Sequence, residues 1–99
     1  MKIFWTREAL DRLTEIEVFI SKDSAERAVK FVDSIIAHAE ELLPSDPRIG
    51  RMAPEISSPA IRELLYKKYR TVYRVSKNHV EILTVFEGRR LLRIDEIGS

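Results

Sequence analysis

Ninety-nine residues without a cysteine suit one compact domain, 1–99, with a real but modest core, and they exclude a disulfide framework and thiolate chemistry. Apolar residues make up 44%, which is ordinary for a globular chain; no run approaches the roughly 20 apolar residues of a membrane span, and none long enough for a signal peptide follows Met1, so a reducing cytoplasm is expected. The formal charge of +1 hides an asymmetry: residues 1–60 carry eight basic and eleven acidic side chains, residues 61–93 nine basic and three acidic ones, and such a field attracts a polyanion or an acidic partner.

Lys2–Trp5 is short, apolar and β-prone, and reads as an opening strand. Thr6 is placed to cap a helix over 7–21, in which Leu10, Leu13, Ile16 and Ile20 recur at helical spacing. Asp23, with Glu26 three residues on, suggests the cap of a second helix over 24–43. Its seam is Ala25, Ala28, Val32, Ile35, Ala39 and Leu42, widened by Val29, Ile36 and Leu43. A turn so short forces the two helices antiparallel. Pro44, Pro47, Pro54 and Pro59 then forbid a helix and predict a loop with fixed bends.

From Ile61 the period changes to two. Ile61, Glu63 and Leu65 alternate with Arg62, Leu64 and Tyr66; Lys67-Lys68 is a turn. Tyr69, Thr71, Tyr73 and Val75 alternate with Arg70, Val72 and Arg74; Lys77-Asn78 fits a two-residue hairpin turn. Val80, Ile82, Thr84 and Phe86 alternate with Glu81, Leu83 and Val85 until Gly88 ends the strand. The order β-α-α-β-β-β predicts an α+β fold, with a helical hairpin packed on one face of a small, mainly antiparallel sheet and the other face more open.

Arg70 and Arg74 read either as a solvated strand face or as target contacts. Arg89, Arg90 and Arg93 extend the same basic region after the last strand. Trp5, Tyr66, Tyr69 and Tyr73 read as packing residues, and His38 and His79 as structural ones. His38 with Glu41 has metal-ligand spacing but lacks a third ligand. No Ser–His–Asp set, phosphate-binding glycine loop or zinc motif occurs, so no metal and no cofactor is expected.

The run IREL…YRTVYRV…VEILTVFEGRR, with the helical hairpin and proline loop upstream, resembles the RelE/ParE superfamily of bacterial toxins from type II toxin–antitoxin modules. The likeness covers nearly the whole chain, and the two long helices before IRELL with FEGRR at the end look ParE-like. That resemblance implies a plasmid-stabilisation type of toxin that inhibits DNA gyrase by binding, through Arg70, Arg74, Arg89, Arg90 and Arg93. It also implies a cognate antitoxin in a hetero-oligomer. The RelE-like alternative is a ribosome-dependent mRNA endoribonuclease, in which Arg70 and Arg90 would steady the phosphate and Glu87 would be the base. A third alternative is an inactive toxin-like protein that only binds an antitoxin. The tail RLLRIDEIGS has neither the Tyr nor the His that RelE-like nucleases carry there, and a glutamate is a weak base near pH 7.

Overall fold

The computed structural model describes residues 1–88. The elements are β1 (Lys2–Trp5), α1 (Arg7–Ser21), α2 (Ala25–Leu42), β2 (Arg51–Met52), β3 (Ile61–Tyr66), β4 (Tyr69–Val75) and β5 (His79–Glu87). They form a two-layer α+β domain: one sheet in the order β1-β5-β4-β3-β2 with the helical hairpin against it. The β1–β5 pair is parallel and the other three pairs are antiparallel. The expected architecture holds, with one addition. The proline loop contributes the two-residue edge strand β2, which pairs Arg51 with Glu63 and Met52 with Arg62.

Thr6 does two jobs. Its hydroxyl accepts from the Ala9 N–H at 3.2 Å and so caps α1, and the same hydroxyl donates to the Ile82 carbonyl at 2.7 Å, fixing the start of the helix to β5. The second cap is Ser24 rather than Asp23. Ser24 has the extended backbone of a cap and accepts from the Arg27 N–H, whereas the Asp23 N–H still belongs to the end of α1, bonded to the Ile20 carbonyl. Both hairpin turns fall where the sequence puts them, with Tyr66 opposite Tyr69 and the Ser76 N–H on the His79 carbonyl.

The main core lies between helices and sheet. Leu13, Ile16, Val32, Ile35, Ala39 and Leu43 meet Leu64, Tyr73, Val80, Ile82 and Val85 there. Leu10 and Val29, expected on the buried faces, are 47% and 48% exposed, and Ala25 of the expected seam is exposed as well; Ala9 is buried in place of Leu10, and Ala28 is buried as expected. The small alanines are the side chains that bring each helix close, which turns their larger neighbours outward. Ile35 is 1% exposed. Ile35→Ala should therefore cost at least about 2 kcal/mol, read as a lower urea midpoint, and a change inside experimental error would contradict the packing.

Strict alternation fails once. Val72 pairs with Thr84 but Tyr73 with Ile82, so Leu83 is an extra residue in β5. This bulge lets Ile82 and Val85 serve the helix side while Leu83 and Phe86 join a second cluster with Ala53, Ile61 and Val72, against which Ile56 packs. The far face of the sheet, expected to be the more open one, is thus partly covered by the proline loop. Prolines fix the bends, and side chains tether the loop: Arg62 donates to the carbonyls of Pro59 at 2.9 Å and Gly50 at 2.8 Å.

Candidate functional site

The middle strands place charge on the loop-covered face. In the β3–β4 ladder Leu65 pairs with Arg70 and Glu63 with Val72, so Glu63 and Arg70 are diagonal neighbours. Both are buried: the Glu63 side chain has no exposed surface and that of Arg70 is 4% exposed. The Arg70 Nε donates to Glu63 Oε1 at 2.7 Å, and its Nη2 donates to the same oxygen. Its two terminal nitrogens reach across to the loop and donate to Glu55 at 2.8 and 2.7 Å. Arg51 of β2 donates its Nε to the other Glu63 oxygen at 2.6 Å. The Phe86 ring closes one side of the Arg70 guanidinium, 4.9 Å from its centroid.

Two carboxylates and two guanidiniums thus form a formally neutral cluster that joins β2, β3, β4 and the proline loop. The hydrogen bond to Glu55 raises the Arg70 pKa above its usual value; burial acts in the opposite direction, and the bond and charge of Glu63 add to the rise. The exposure expected at Arg70 is therefore corrected: the guanidinium is committed to Glu55 and Glu63. Arg74 is half-buried on the same strand, with Nη1 3.4 Å from Glu81.

The exposed basic side chains gather at the end where β5 stops. Lys67 takes a positive φ of 52° in the β3–β4 turn, and the Gly88 N–H donates to the Lys68 carbonyl at 2.6 Å. Around that contact Arg51, Lys67 and Lys68 line a shallow recess of about 290 Å³ with Leu65, Glu87 and Gly88, and the buried Arg70 forms part of its floor. Glu87 is exposed, and in the ladder it faces Tyr69, whose hydroxyl pKa is raised by burial first and by the Glu87 charge second. Arg89, Arg90 and Arg93 lie outside the described residues. The arrangement offers three exposed cations and one carboxylate around a shallow recess, which suits holding an acidic surface.

Of the predicted site residues the structure brings Arg70 into a structural cluster, leaves Arg74 in a half-exposed ion pair and puts Glu87 at the basic rim. Glu55, Glu63 and Arg51 were not singled out by sequence reading. The available signal was the register: a two-residue turn at Lys67-Lys68 fixes which side chains of β3 and β4 are neighbours, and it sets an acid beside Arg70. His38 seats its ring on Tyr66 with centroids 5.0 Å apart, in keeping with a structural role. Among the described residues no three His, Cys, Asp or Glu side chains gather as metal ligands.

A family model described as the ParE toxin of type II toxin–antitoxin systems, parDE, matches residues 3–92. A protein of Sinorhizobium fredii named "Putative toxin Y4kP" is 36% identical over an alignment of 93 residues that covers 90% of this chain and 90% of that protein. The fold is shared with a chain of the chromosomal ParDE TA system from P. aeruginosa, at a TM-score of 0.73 and 24% identity, over 88% of this chain and 95% of that one.

Proposed function

The chain belongs to the ParE toxin family of type II toxin–antitoxin systems, and we propose that it acts by binding: it inhibits DNA gyrase in the bacterial cytoplasm, trapping the cleaved enzyme–DNA complex without chemistry of its own. A cognate antitoxin neutralises it in a hetero-oligomer, through a disordered acidic and apolar segment that orders on the toxin. The supporting observation is Arg70. A nuclease of the RelE type would need that cation free for the phosphate, and here it is 4% exposed and bonded to Glu55 and Glu63. Glu87 at the rim stands beside Arg51, Lys67 and Lys68, cations of the kind that hold carboxylates and phosphates.

A gyrase supercoiling assay, run beside a ribosome-bound mRNA cleavage assay, tests the reading. Supercoiling should be inhibited and mRNA left whole. Arg90→Ala should weaken inhibition and toxicity about tenfold, the loss of one well-used charged contact. Glu87→Gln should leave toxicity largely intact, since only a general base needs the ionised carboxylate. If Glu87→Gln abolished toxicity in a folded protein and wild-type ribosomes carried freshly cut mRNA, the endoribonuclease reading would take its place.

A further inference from the structure

The two carboxylates on Arg70 are held very differently. Glu63 lies inside β3, its side chain has no exposed surface, and Arg51 holds its second oxygen. Glu55 lies in the proline loop, and its side chain keeps 17% exposure. The loop is pinned at its base, where the Ala53 N–H donates to the Ile61 carbonyl at 3.0 Å, and on its far limb, where Arg62 donates to the Pro59 carbonyl at 2.9 Å. Pro54 and Pro59 fix the bends between those pins, and Ile56, half-buried, rests on the sheet. Glu55 meets the guanidinium with both oxygens: Oε2 accepts from Nη1 at 2.8 Å and Oε1 from Nη2 at 2.7 Å. That is the two-pronged fit an arginine makes with a carboxylate from any source.

We propose that the Arg70 fork is a carboxylate-binding site which Glu55 fills in the resting protein, and that an aspartate or glutamate side chain of the target protein takes its place. Residues 54–58 swing out, Glu63 stays, and the incoming carboxylate accepts from Nη1 and Nη2 as Glu55 did. Glu55 is then an autoinhibitory contact. The inference rests on the binding-inhibitor reading in one respect, namely that the target protein carries the acid. The exchange never strips Arg70 of its counter-charge, because Glu63 remains on Nε and Nη2 throughout. The same cluster selects the ligand. With Glu55 out, Arg51, Arg70 and Glu63 together carry one net positive charge, which a single carboxylate cancels, whereas a nucleic-acid backbone needs a row of cations. Leu65 stands opposite Arg70 in the ladder and is 53% exposed, an apolar seat for the residue next to the incoming acid.

The test uses the full chain and formate as the probe. Glu55→Ala removes the resident carboxylate, and sodium formate is titrated against sodium chloride at equal ionic strength. Formate should raise the urea midpoint of Glu55→Ala, leave that of wild type where chloride leaves it, and shift the Arg70 Nε–H resonance of the isotope-labelled variant. A Glu55→Ala midpoint and Arg70 resonance that formate moves no more than chloride does would overturn the site. In the supercoiling assay, with doses set by the folded fraction from circular dichroism, Glu55→Ala should inhibit at concentrations about tenfold lower than wild type. An internal occupant that leaves the site open about a tenth of the time weakens the apparent affinity by that factor. Formate should cancel the gain by competing for the fork. Glu55→Gln keeps the side-chain volume and one acceptor, so it should fall between the two, and it carries the potency comparison if Glu55→Ala does not fold. Equal or lower potency in the folded variants would overturn the exchange. Formate binding without inhibition of supercoiling by any of the proteins sinks the gyrase reading and keeps the site. Inhibition without formate binding does the reverse.

Discussion

Glu63→Ala should destabilise the protein by about 3–5 kcal/mol, a large part of the roughly 5–15 kcal/mol that holds a small domain folded. The Glu63 carboxylate is fully buried and receives both Arg70 and Arg51. Its removal leaves the Arg70 guanidinium 4% exposed with Glu55 as the remaining carboxylate of the cluster, a cation taken out of water without its closest counter-charge. Glu55→Ala should cost less, because the Glu55 side chain keeps 17% exposure and water can replace it. Replacing both members of the central pair, Glu63→Leu with Arg70→Leu, should recover most of the loss, since apolar residues of similar volume often match a buried ion pair. Urea unfolding of the four proteins measures this, and a Glu63→Ala midpoint close to wild type would contradict it. The double variant also decides what Arg70 does. If the refolded double variant is as toxic as wild type, Arg70 is a structural clasp. If it is folded and inert, Arg70 acts on the target as well.

Much of the fold is legible because local signals agree with one another. Thr6 caps α1, prolines stop α2, two-residue turns set the hairpins, and the period switches from helical to alternating at Ile61. Three features are not local. The cap at Ser24 depends on where α1 releases its last N–H, at Asp23 and Ser24 themselves. The Leu83 bulge is a compromise between two cores that both need β5, and nothing in HVEILTVFE marks it. The burial of Arg70 depends on a carboxylate 15 residues away in the proline loop, Glu55, which no periodicity connects to β4. An arginine alternating with apolar residues looks the same in sequence whether water or a buried acid receives it. For that reason the candidate site was less legible than the fold, and the basic character of the sheet overstated what a target can reach.

Gly50→Ala should cost about 2–6 kcal/mol, far above the loss expected from an ordinary loop glycine. The reason is close approach and not backbone strain. A Cβ at Gly50 would press on the Glu63 carbonyl and stand 2.5 Å from the Tyr73 hydroxyl. Neither can move cheaply: Glu63 sits in the β2–β3 ladder opposite Arg51, and Tyr73 is fully buried in the main core. Overpacking of this kind costs about 1–3 kcal/mol. A second loss comes with it. The Gly50 N–H donates to the Tyr73 hydroxyl at 3.0 Å, and pushing the two apart leaves a buried donor and a buried hydroxyl short of a partner, at about 1–3 kcal/mol. The same burial raises the Tyr73 pKa, while the Gly50 hydrogen bond pulls it down. Tyr73→Phe added to Gly50→Ala should restore only part of the stability, because the ring hydroxyl is removed but the Glu63 carbonyl remains. Gly88→Ala is the control: its added Cβ would come within 3.2 Å of the Lys68 carbonyl, on an exposed turn where the chain can give. Its urea midpoint should stay near wild type. Equal midpoints for Gly50→Ala and Gly88→Ala would mean that the loop is not pinned at Gly50. In that case the clasp between Glu55, Glu63 and Arg70 would be the loop's principal tether to the sheet.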